Sequence, residues 1–219
     1  MASITTFEIG YCTHLGCMAL RGSAVRHCKF PSRAYLLTVG ERRWLWDTGY
    51  ASHFHSYTDR GVFRLYRRVT PVYFSPHQAL VEQLRCQGIC VGDIEAVIIS
   101  HFHADHIAGL RDFSGINMIC SGEGWRQTRD LRGIAALKRA FVPGLIPEGF
   151  ESALQFVEAF PRRPCPASWR HSNRATCCRA AAAKSSSYHY RVTLQGISAP
   201  LCKRMLVGRY WRVMPPGRR

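Results

Sequence analysis

The chain has 219 residues, of which 47% are hydrophobic and 20% are charged, and this composition is typical of a globular protein. It excludes an intrinsically disordered chain, and no apolar run approaches the length that would span a membrane. The formal net charge of +16 is unevenly distributed. Residues 1–160 hold 17 basic and 14 acidic side chains, whereas residues 161–219 hold 13 basic side chains and no acidic one.

The N-terminus and the cysteines predict the cellular compartment. Residues 1–8 contain neither a basic start nor an apolar segment, so the sequence predicts no signal peptide. Ten cysteines without such a signal are expected to be reduced thiols rather than a disulfide framework. We therefore predict a cytoplasmic protein that makes no membrane contact.

Strand and helix patterns alternate along the first 160 residues. Short runs rich in branched and aromatic residues predict strands, and apolar residues at helical spacing predict helices. The alternation indicates an α/β layered domain. The predicted elements are strands at 33–39, 43–47, 94–100 and 116–120, and helices at 76–88, 123–140 and 151–160.

The alternation stops near residue 161. Beyond it the chain is rich in arginine, proline, cysteine and serine, and it shows no sustained periodicity. We therefore divide the chain into an α/β part at 1–160 and a basic, irregular tail at 161–219.

Three histidines and one aspartate lie within six residues, directly after the predicted strand 94–100: they are His101, His103, Asp105 and His106. Neutral imidazole and carboxylate are ligands that zinc prefers. Alternate residues of an extended turn point the same way, so His101 and His103 could bind one metal ion together. Asp105 and His106 could then reach a second ion, and two such ions can share a reactive hydroxide. The alternative, a chance group of surface histidines, explains the density of the cluster poorly.

The sequence His101-Phe102-His103-Ala104-Asp105-His106 resembles the His-x-His-x-Asp-His signature of the metallo-β-lactamase-fold hydrolases. The turn Asp47-Thr48-Gly49 after a strand and the segment 93–110 extend the resemblance, which covers about residues 5–160. The resemblance implies a partial αββα sandwich with the site at one edge of two facing sheets. It also implies up to two zinc ions, with Asp105 as the catalytic residue that orients the attacking water. Asp47 would support the metal-binding loop, or would be only a turn residue.

The resemblance also implies the reaction. Members of the family hydrolyse esters, lactones, thioesters or amides with a zinc-bound hydroxide. Residues 138–147 are similar to the helical insert of the lactonase-like branch, which acts on small molecules. We therefore expect a small-molecule substrate. His53 and His55 follow Asp47-Thr48-Gly49, and they would either face that substrate or lie in a solvated loop.

The later part of the family pattern is missing from the sequence. Family members add a Gly-His element, a bridging Asp and a final His, but no acidic residue follows Glu158 here. His171 and His189 are the only later histidines, and His171 is a candidate third ligand of the first metal. The missing ligands predict weaker or fewer zinc ions, and they leave open whether the chain is an active enzyme.

The acid-free tail allows two interpretations. One is a truncated hydrolase in which a frameshift near residues 155–165 replaced the second half of the fold. The other is a basic arm of an RNA-processing or nucleic-acid-binding protein of the same fold, in which charges contact phosphates and aromatic rings stack on bases. The aromatic residues in question are Trp169, Tyr188, Tyr190, Tyr210 and Trp211.

Overall fold

The computed structural model describes residues 2–19 and 25–160. Within these residues, seven strands form one mixed sheet with the order β4-β1-β2-β3-β5-β6-β7. The strands are β1 (Ala2–Leu15), β2 (His27–Val39), β3 (Arg42–Trp46), β4 (Val72–Tyr73), β5 (Ala96–Ile98), β6 (Asn117–Cys120) and β7 (Leu154–Phe156). The α-helices are α1 (Gly16–Ala19), α2 (Ser52–Thr58), α3 (Phe63–Val69), α4 (Leu80–Cys86), α5 (Ala104–Ile107), α6 (Gly122–Thr128) and α7 (Gly133–Lys138).

One half of the sheet is antiparallel. The long strands β1 and β2 pair from Ala2 opposite Val39 to Leu15 opposite His27, and the register shifts between Glu8 and Tyr11. Gly10 lies in this irregularity with φ 69°, and a Cβ atom there would lie 2.4 Å from the carbonyl oxygen of Tyr73. The bulge therefore requires glycine, because strand β4 approaches the backbone of β1 closely at this point.

The other half of the sheet is parallel, and this half positions the site. Strand β3 pairs in parallel with β5, with Trp46 opposite Ile98, and β5, β6 and β7 continue in the same direction. The carboxyl ends of parallel strands meet at one edge of a sheet. The residues that follow β3 and β5 are thus neighbours in space, and the backbone N–H of Asp47 donates to the carbonyl oxygen of Ile98 at 2.8 Å.

Both faces of the sheet are apolar. On one face, alternate strand residues such as Leu45 and Val97 join the main core with the helices. On the opposite face, their neighbours Trp44 and Ile98 form a smaller apolar cluster to which Phe160 packs. Burial on both faces is typical of the parallel strands of α/β proteins. The predicted α/β class is confirmed, and the helices cover one face of the sheet, as in one half of the predicted sandwich.

Most strand predictions are confirmed, with shifted ends. The segments 33–39 and 116–120 lie in β2 and β6, and the segment 43–47 corresponds to β3. The segment 94–100 is shorter as a strand, since only Ala96–Ile98 pair as β5. The predicted helix 76–88 consists of a 3-10 turn, Pro76–Gln78, followed by α4.

Two helix predictions are wrong. The segment 123–140 forms two helices, because Gly133 adopts a positive φ of 52° that a continuous helix cannot accommodate. The segment 151–160 is not α-helical: it contains β7, which pairs with β6, between two 3-10 turns. Pairing of this segment with strand β6 outweighs its weak helical pattern. The carboxylate of Glu158 holds the segment further, because it accepts hydrogen bonds from the start of α6.

Strand β1 is an element that the sequence analysis did not predict. It is half-exposed along much of its length, so its residues lack the continuous apolar run that marks a buried strand. Across the described residues, no helix is long and apolar enough to cross a membrane.

The central position of β3 gives a test of the core. Replacing the fully buried Leu45 with Ala is expected to lower the free energy of unfolding by about 3 kcal/mol, through lost burial and a residual cavity. Chemical denaturation followed by circular dichroism measures this change. Leu65→Ala is the matched control, because Leu65 is 50% exposed and its truncation should cost less than about 0.5 kcal/mol. Equal effects of the two substitutions would contradict the described packing.

Candidate metal centre

The four residues of the histidine–aspartate cluster lie at the carboxyl end of β5. His101 and His103 lie on the loop after this strand, and Asp105 and His106 lie on the short helix α5. The ring centroids of His101 and His103 are 4.5 Å apart, and those of His101 and His106 are 4.0 Å apart. The fold thus brings the three imidazole rings together, as their spacing in the sequence suggests.

Asp47 connects the ends of β3 and β5 with α5. Its carboxylate is fully buried and accepts hydrogen bonds from the backbone N–H and the hydroxyl of Ser100, both at 2.8 Å. The Nδ1 atom of His106 lies 2.8 Å from the same carboxylate. The backbone N–H of Thr48 donates to the carbonyl oxygen of His106 at 2.8 Å. Asp47 therefore fixes the loop that carries the cluster, beyond any role as a turn residue.

The turn that contains Asp47 has an unusual backbone. Asp47 adopts φ 57° and Gly49 adopts φ 69°. Aspartate is among the few residues that enter this left-handed region at modest cost. At Gly49 a Cβ atom would lie 2.7 Å from the side chain of Ile9, so glycine is required there. The Asp-Thr-Gly sequence is thus dictated by the close approach of the turn to β1 and to the cluster.

His106 lies between two carboxylates. Its Nδ1 atom faces Asp47 at 2.8 Å, and its Nε2 atom faces Asp105 at 3.2 Å. Burial opposes the protonated form of His106, but the charges of Asp105 and Asp47 and their hydrogen bonds outweigh it and raise its pKa to about 10. Burial likewise opposes ionisation of Asp105, but His106 holds the pKa of that carboxyl well below its usual range. The pair is therefore ionised at neutral pH.

His101 is held in the opposite protonation state. Burial lowers its pKa well below the ordinary value, and the neighbouring positive charges of His106 and His103 lower it further. The Ser100 hydroxyl donates its hydrogen to Asp47, so it accepts from the Nδ1–H of His101, with 2.9 Å between Oγ and Nδ1. This hydrogen-bond network assigns the proton of the neutral ring to Nδ1, which leaves the lone pair of Nε2 for another partner.

Ser100 is a functional candidate that the sequence analysis missed. It was assigned only to the end of a buried strand, although it directly precedes His101. The chain Asp47–Ser100–His101 orients the imidazole in the way that carboxylates and hydroxyls orient metal-binding histidines in proteins. A small hydroxyl residue next to the first histidine was the available signal.

The chemistry of the cluster fits a divalent metal ion. Three imidazoles and one carboxylate are a donor set that zinc prefers, and the Nε2 lone pair of His101 is available as a donor. Among the described residues, however, no three His, Cys, Asp or Glu side chains are arranged to hold one ion together. Two of the four candidate donors, Asp105 and His106, form an ion pair with each other instead.

A partly open cleft lies beside the histidines. One wall carries His101 and His103, and the opposite wall is formed by α6 and the C-terminal end of α7. Its lining residues are His101, Phe102, His103, Gly124, Gln127, Thr128, Leu131 and Arg139. The cleft borders His101 and His103, the candidate ligands of the first metal.

Other candidates from the sequence have different positions. His53 and His55 lie on α2 rather than in a loop, and Nε2 of His53 is 2.7 Å from Oδ1 of Asp112, an interaction that connects α2 to the turn after α5. The segment 161–219, which contains His171 and His189, lies outside the described residues. The structure therefore does not test the third-ligand role of His171, the frameshift or the nucleic-acid-binding arm. Those predictions stay predictions.

Comparison with known proteins identifies a family. The family model described as the metallo-beta-lactamase superfamily matches residues 29–171, which is well over half of the chain. The match includes Asp47, Ser100 and the entire histidine–aspartate cluster. Comparison with curated proteins gives no match.

Several solved structures share the fold. An N-acyl homoserine lactone hydrolase with its product at the catalytic metal centre superposes with a TM-score of 0.54 at 18% identity, over 70% of this chain and 58% of that one. A probable metal-dependent hydrolase from Staphylococcus aureus gives a TM-score of 0.55 at 17% identity, over 75% and 61% of the two chains. A dizinc quorum-quenching lactonase gives 0.51 at 18% identity, over 76% and 60%.

These similarities establish the fold alone, because identities of 17–18% do not transfer a substrate. The chain spans between 58% and 61% of the length of the three proteins.

The buried carboxylate of Asp47 can be tested by neutralisation. Asp47→Asn is expected to lower the free energy of unfolding by about 3 kcal/mol, since it leaves the buried donors of Ser100 and His106 poorly matched. Asparagine also tolerates a positive φ, so the backbone cost is small. Chemical denaturation measures the change. The control Glu8→Gln removes an exposed ion pair with Arg33 and should cost less than about 1 kcal/mol. A loss at Asp47 no larger than at Glu8 would show that the buried network contributes little.

Proposed function

The chain belongs to the metallo-beta-lactamase superfamily, and on that premise we propose that it is a metal-dependent hydrolase of a small-molecule ester, lactone, thioester or amide. One observation carries the proposal: His101, His103, Asp105 and His106 converge at one sheet edge, where Asp47 and Ser100 hold them. Convergent imidazoles and carboxylates beside an open cleft are the arrangement that metal-assisted hydrolysis needs.

The proposed ligands follow from their positions. His101 and His103 would hold a first metal ion, and Asp105 and His106 would hold a second. Zinc, when bound, supplies a water of lowered pKa as nucleophile and polarises the scissile carbonyl oxygen. Zinc is the proposed metal because its preferred donors are imidazole and carboxylate, and because one of the structural relatives is a dizinc lactonase.

The residues of the chain itself would prepare the reaction. Ser100 holds the proton of His101 on Nδ1 and so leaves the lone pair of Nε2 for a metal ion. Asp47 restrains His106 in the same way through Nδ1. Asp105 is ionised, so its carboxylate can accept a hydrogen bond from the attacking water and orient it toward the carbonyl carbon. For these roles the Asp105 carboxylate must give up its contact with the Nε2 atom of His106.

The small-molecule branch is supported by the cleft and by the relatives. The cleft lies beside His101 and His103, and α6 and the C-terminal end of α7 bound it. Two of the structural relatives act on N-acyl homoserine lactones, and these lactones are therefore the substrates to test first.

Metal content and hydrolysis should change together. We expect the purified chain to bind zinc and to hydrolyse an N-acyl homoserine lactone or 4-nitrophenyl acetate, and we expect a chelator to remove both properties. His101→Ala should weaken zinc affinity by at least about 100-fold, because it removes a ligand whose donor atom is fixed in advance. Elemental analysis after dialysis and a continuous esterase assay measure the two properties.

The control for this experiment is His77→Ala, since His77 is exposed on the 3-10 turn Pro76–Gln78, outside the cluster. It should retain full zinc content and rate. Zinc content and rate that are the same in His101→Ala as in the native sequence would sink the proposal. Zinc binding without hydrolysis of any carbonyl substrate would leave a metal-binding protein of this fold.

Ser100→Ala separates orientation from ligation. The substitution keeps all four candidate ligands but removes the acceptor of the Nδ1–H of His101. We expect zinc affinity to fall by about 10- to 100-fold with little change in secondary structure. Isothermal titration with zinc measures the affinity, and circular dichroism checks the fold. Ser114→Ala is the control, because Ser114 is exposed and its hydroxyl donates to the carbonyl oxygen of Arg111, outside the cluster. Unchanged affinity in Ser100→Ala would rule out the orienting role.

A further inference from the structure

The C-terminal end of α7 is anchored to the loop that carries the histidines. The helix ends in a turn in which the N–H of Arg139 and the N–H of Phe141 both donate to the carbonyl oxygen of Ala136, at 2.9 and 3.0 Å. Between them, Ala140 adopts φ 50°, a conformation that residues other than glycine seldom enter. The carbonyl oxygen of Ala140 accepts the backbone N–H of Ala104 at 3.0 Å.

This anchor fixes where Arg139 stands. Ala104 lies between His103 and Asp105, so one hydrogen bond connects the residue after Arg139 to the centre of the cluster. The strained backbone of Ala140 is held by this bond and by the turn around it. Arg139 is thereby held at the edge of the cleft, because the next residue in the chain, Ala140, is hydrogen-bonded to the metal-binding loop.

The cleft offers an anion a positive, polar setting. Arg139 lines it together with Gln127, Thr128 and the two histidines, and among the described lining residues none is acidic. Arg139 and the candidate metal ligand His103 line the same cleft. The hydrogen bond between Ala140 and Ala104 keeps Arg139 beside the wall where the reaction would occur. A guanidinium binds carboxylate or phosphate through two parallel hydrogen bonds.

We propose that Arg139 forms an anion subsite beside the metal centre, and that the preferred substrates carry a carboxylate or phosphate group near the scissile carbonyl. The proposal rests on the proposed hydrolase function and narrows its substrate class. Arg139 acts in it as a specificity-determining residue: it binds the anionic end of the substrate, and it takes no part in the proton transfers at the carbonyl.

The test compares two esters of the same acyl length on the full zinc-loaded chain. Mono-4-nitrophenyl glutarate carries a free carboxylate, and 4-nitrophenyl pentanoate is its neutral counterpart. We expect the native chain to prefer the anionic ester by about tenfold in kcat/KM, chiefly through a lower KM. Arg139→Gln should abolish the preference by raising KM for the anionic ester alone, and Arg139→Lys should keep only part of it.

The matched control is Lys138→Gln. It removes one positive charge from the same helix end, but Lys138 is exposed and does not line the cleft. It should leave the preference within about twofold of the native value, because exposed charges at a distance are screened by salt. A loss of preference in Lys138→Gln equal to that in Arg139→Gln would replace the subsite with a general effect of net charge and overturn the proposal.

A binding measurement separates this proposal from the proposed function. Glutarate, inorganic phosphate and the neutral glutaramide are titrated into zinc-loaded and zinc-free protein by calorimetry. We expect glutarate or phosphate to bind the native chain about tenfold more tightly than it binds Arg139→Gln, whereas glutaramide should show no such difference. The anion that binds the native chain more tightly shows whether the subsite prefers a carboxylate or a phosphate.

The outcomes are distinct. Binding of an anion that depends on Arg139, without hydrolysis of either ester, would support the subsite and contradict the hydrolase function. Ester hydrolysis, together with equal anion binding in the native chain and Arg139→Gln, would support the hydrolase function and contradict the subsite. Absence of anion binding to the native chain, with or without zinc, would overturn the subsite.

Discussion

The buried carboxylate of Asp47 is the interaction on which the rest of the site depends. It lies at the junction where the antiparallel half of the sheet meets the parallel half, and there β3 and β5 end side by side. A carboxylate buried at such a point must be fully hydrogen-bonded, and it is satisfied by Ser100 and His106 from two separate segments. The need to satisfy one buried charge thereby holds the histidine loop at Ser100 and the helix α5 at His106.

The protonation states of the cluster follow from this geometry. His106 is flanked by two carboxylates that raise its pKa, whereas the loss of water and the neighbouring His106 lower the pKa of the partly buried His101. The Asp47 carboxylate thus orients two imidazoles through their Nδ1 atoms, His106 directly and His101 through the hydroxyl of Ser100. Among the four candidate ligands, Asp105 and His106 form an ion pair. A metal ion that binds either of them would compete with this pair.

The elements around the cluster explain how the cleft beside it forms. Residues 129–132 separate the helices α6 and α7, and beyond the end of α7 the carbonyl oxygen of Ala140 accepts a hydrogen bond from Ala104 of the loop. This contact brings a guanidinium to the edge of the cleft. The opposite face of the sheet carries its own apolar cluster around Trp44 and Ile98, so the sheet separates two packing layers and the site lies at its edge.

The sequence by itself determined the α/β class, the central strands and the identity of the cluster, because these features are local. Strand periodicity is a property of consecutive residues, and His101, His103, Asp105 and His106 lie within six positions. Sequence reasoning failed where distant segments compete: β1 is stabilised by its long pairing with β2, and the segment 151–160 joins the sheet edge despite its helical pattern. Only the tertiary structure decided that Asp47 contacts Ser100 and His106, 53 and 59 positions away, and that Arg139 stands at the cleft. The physical reason is that the partners of a buried charge are set by how the strands pair, and neighbouring residues in the sequence do not encode that pairing.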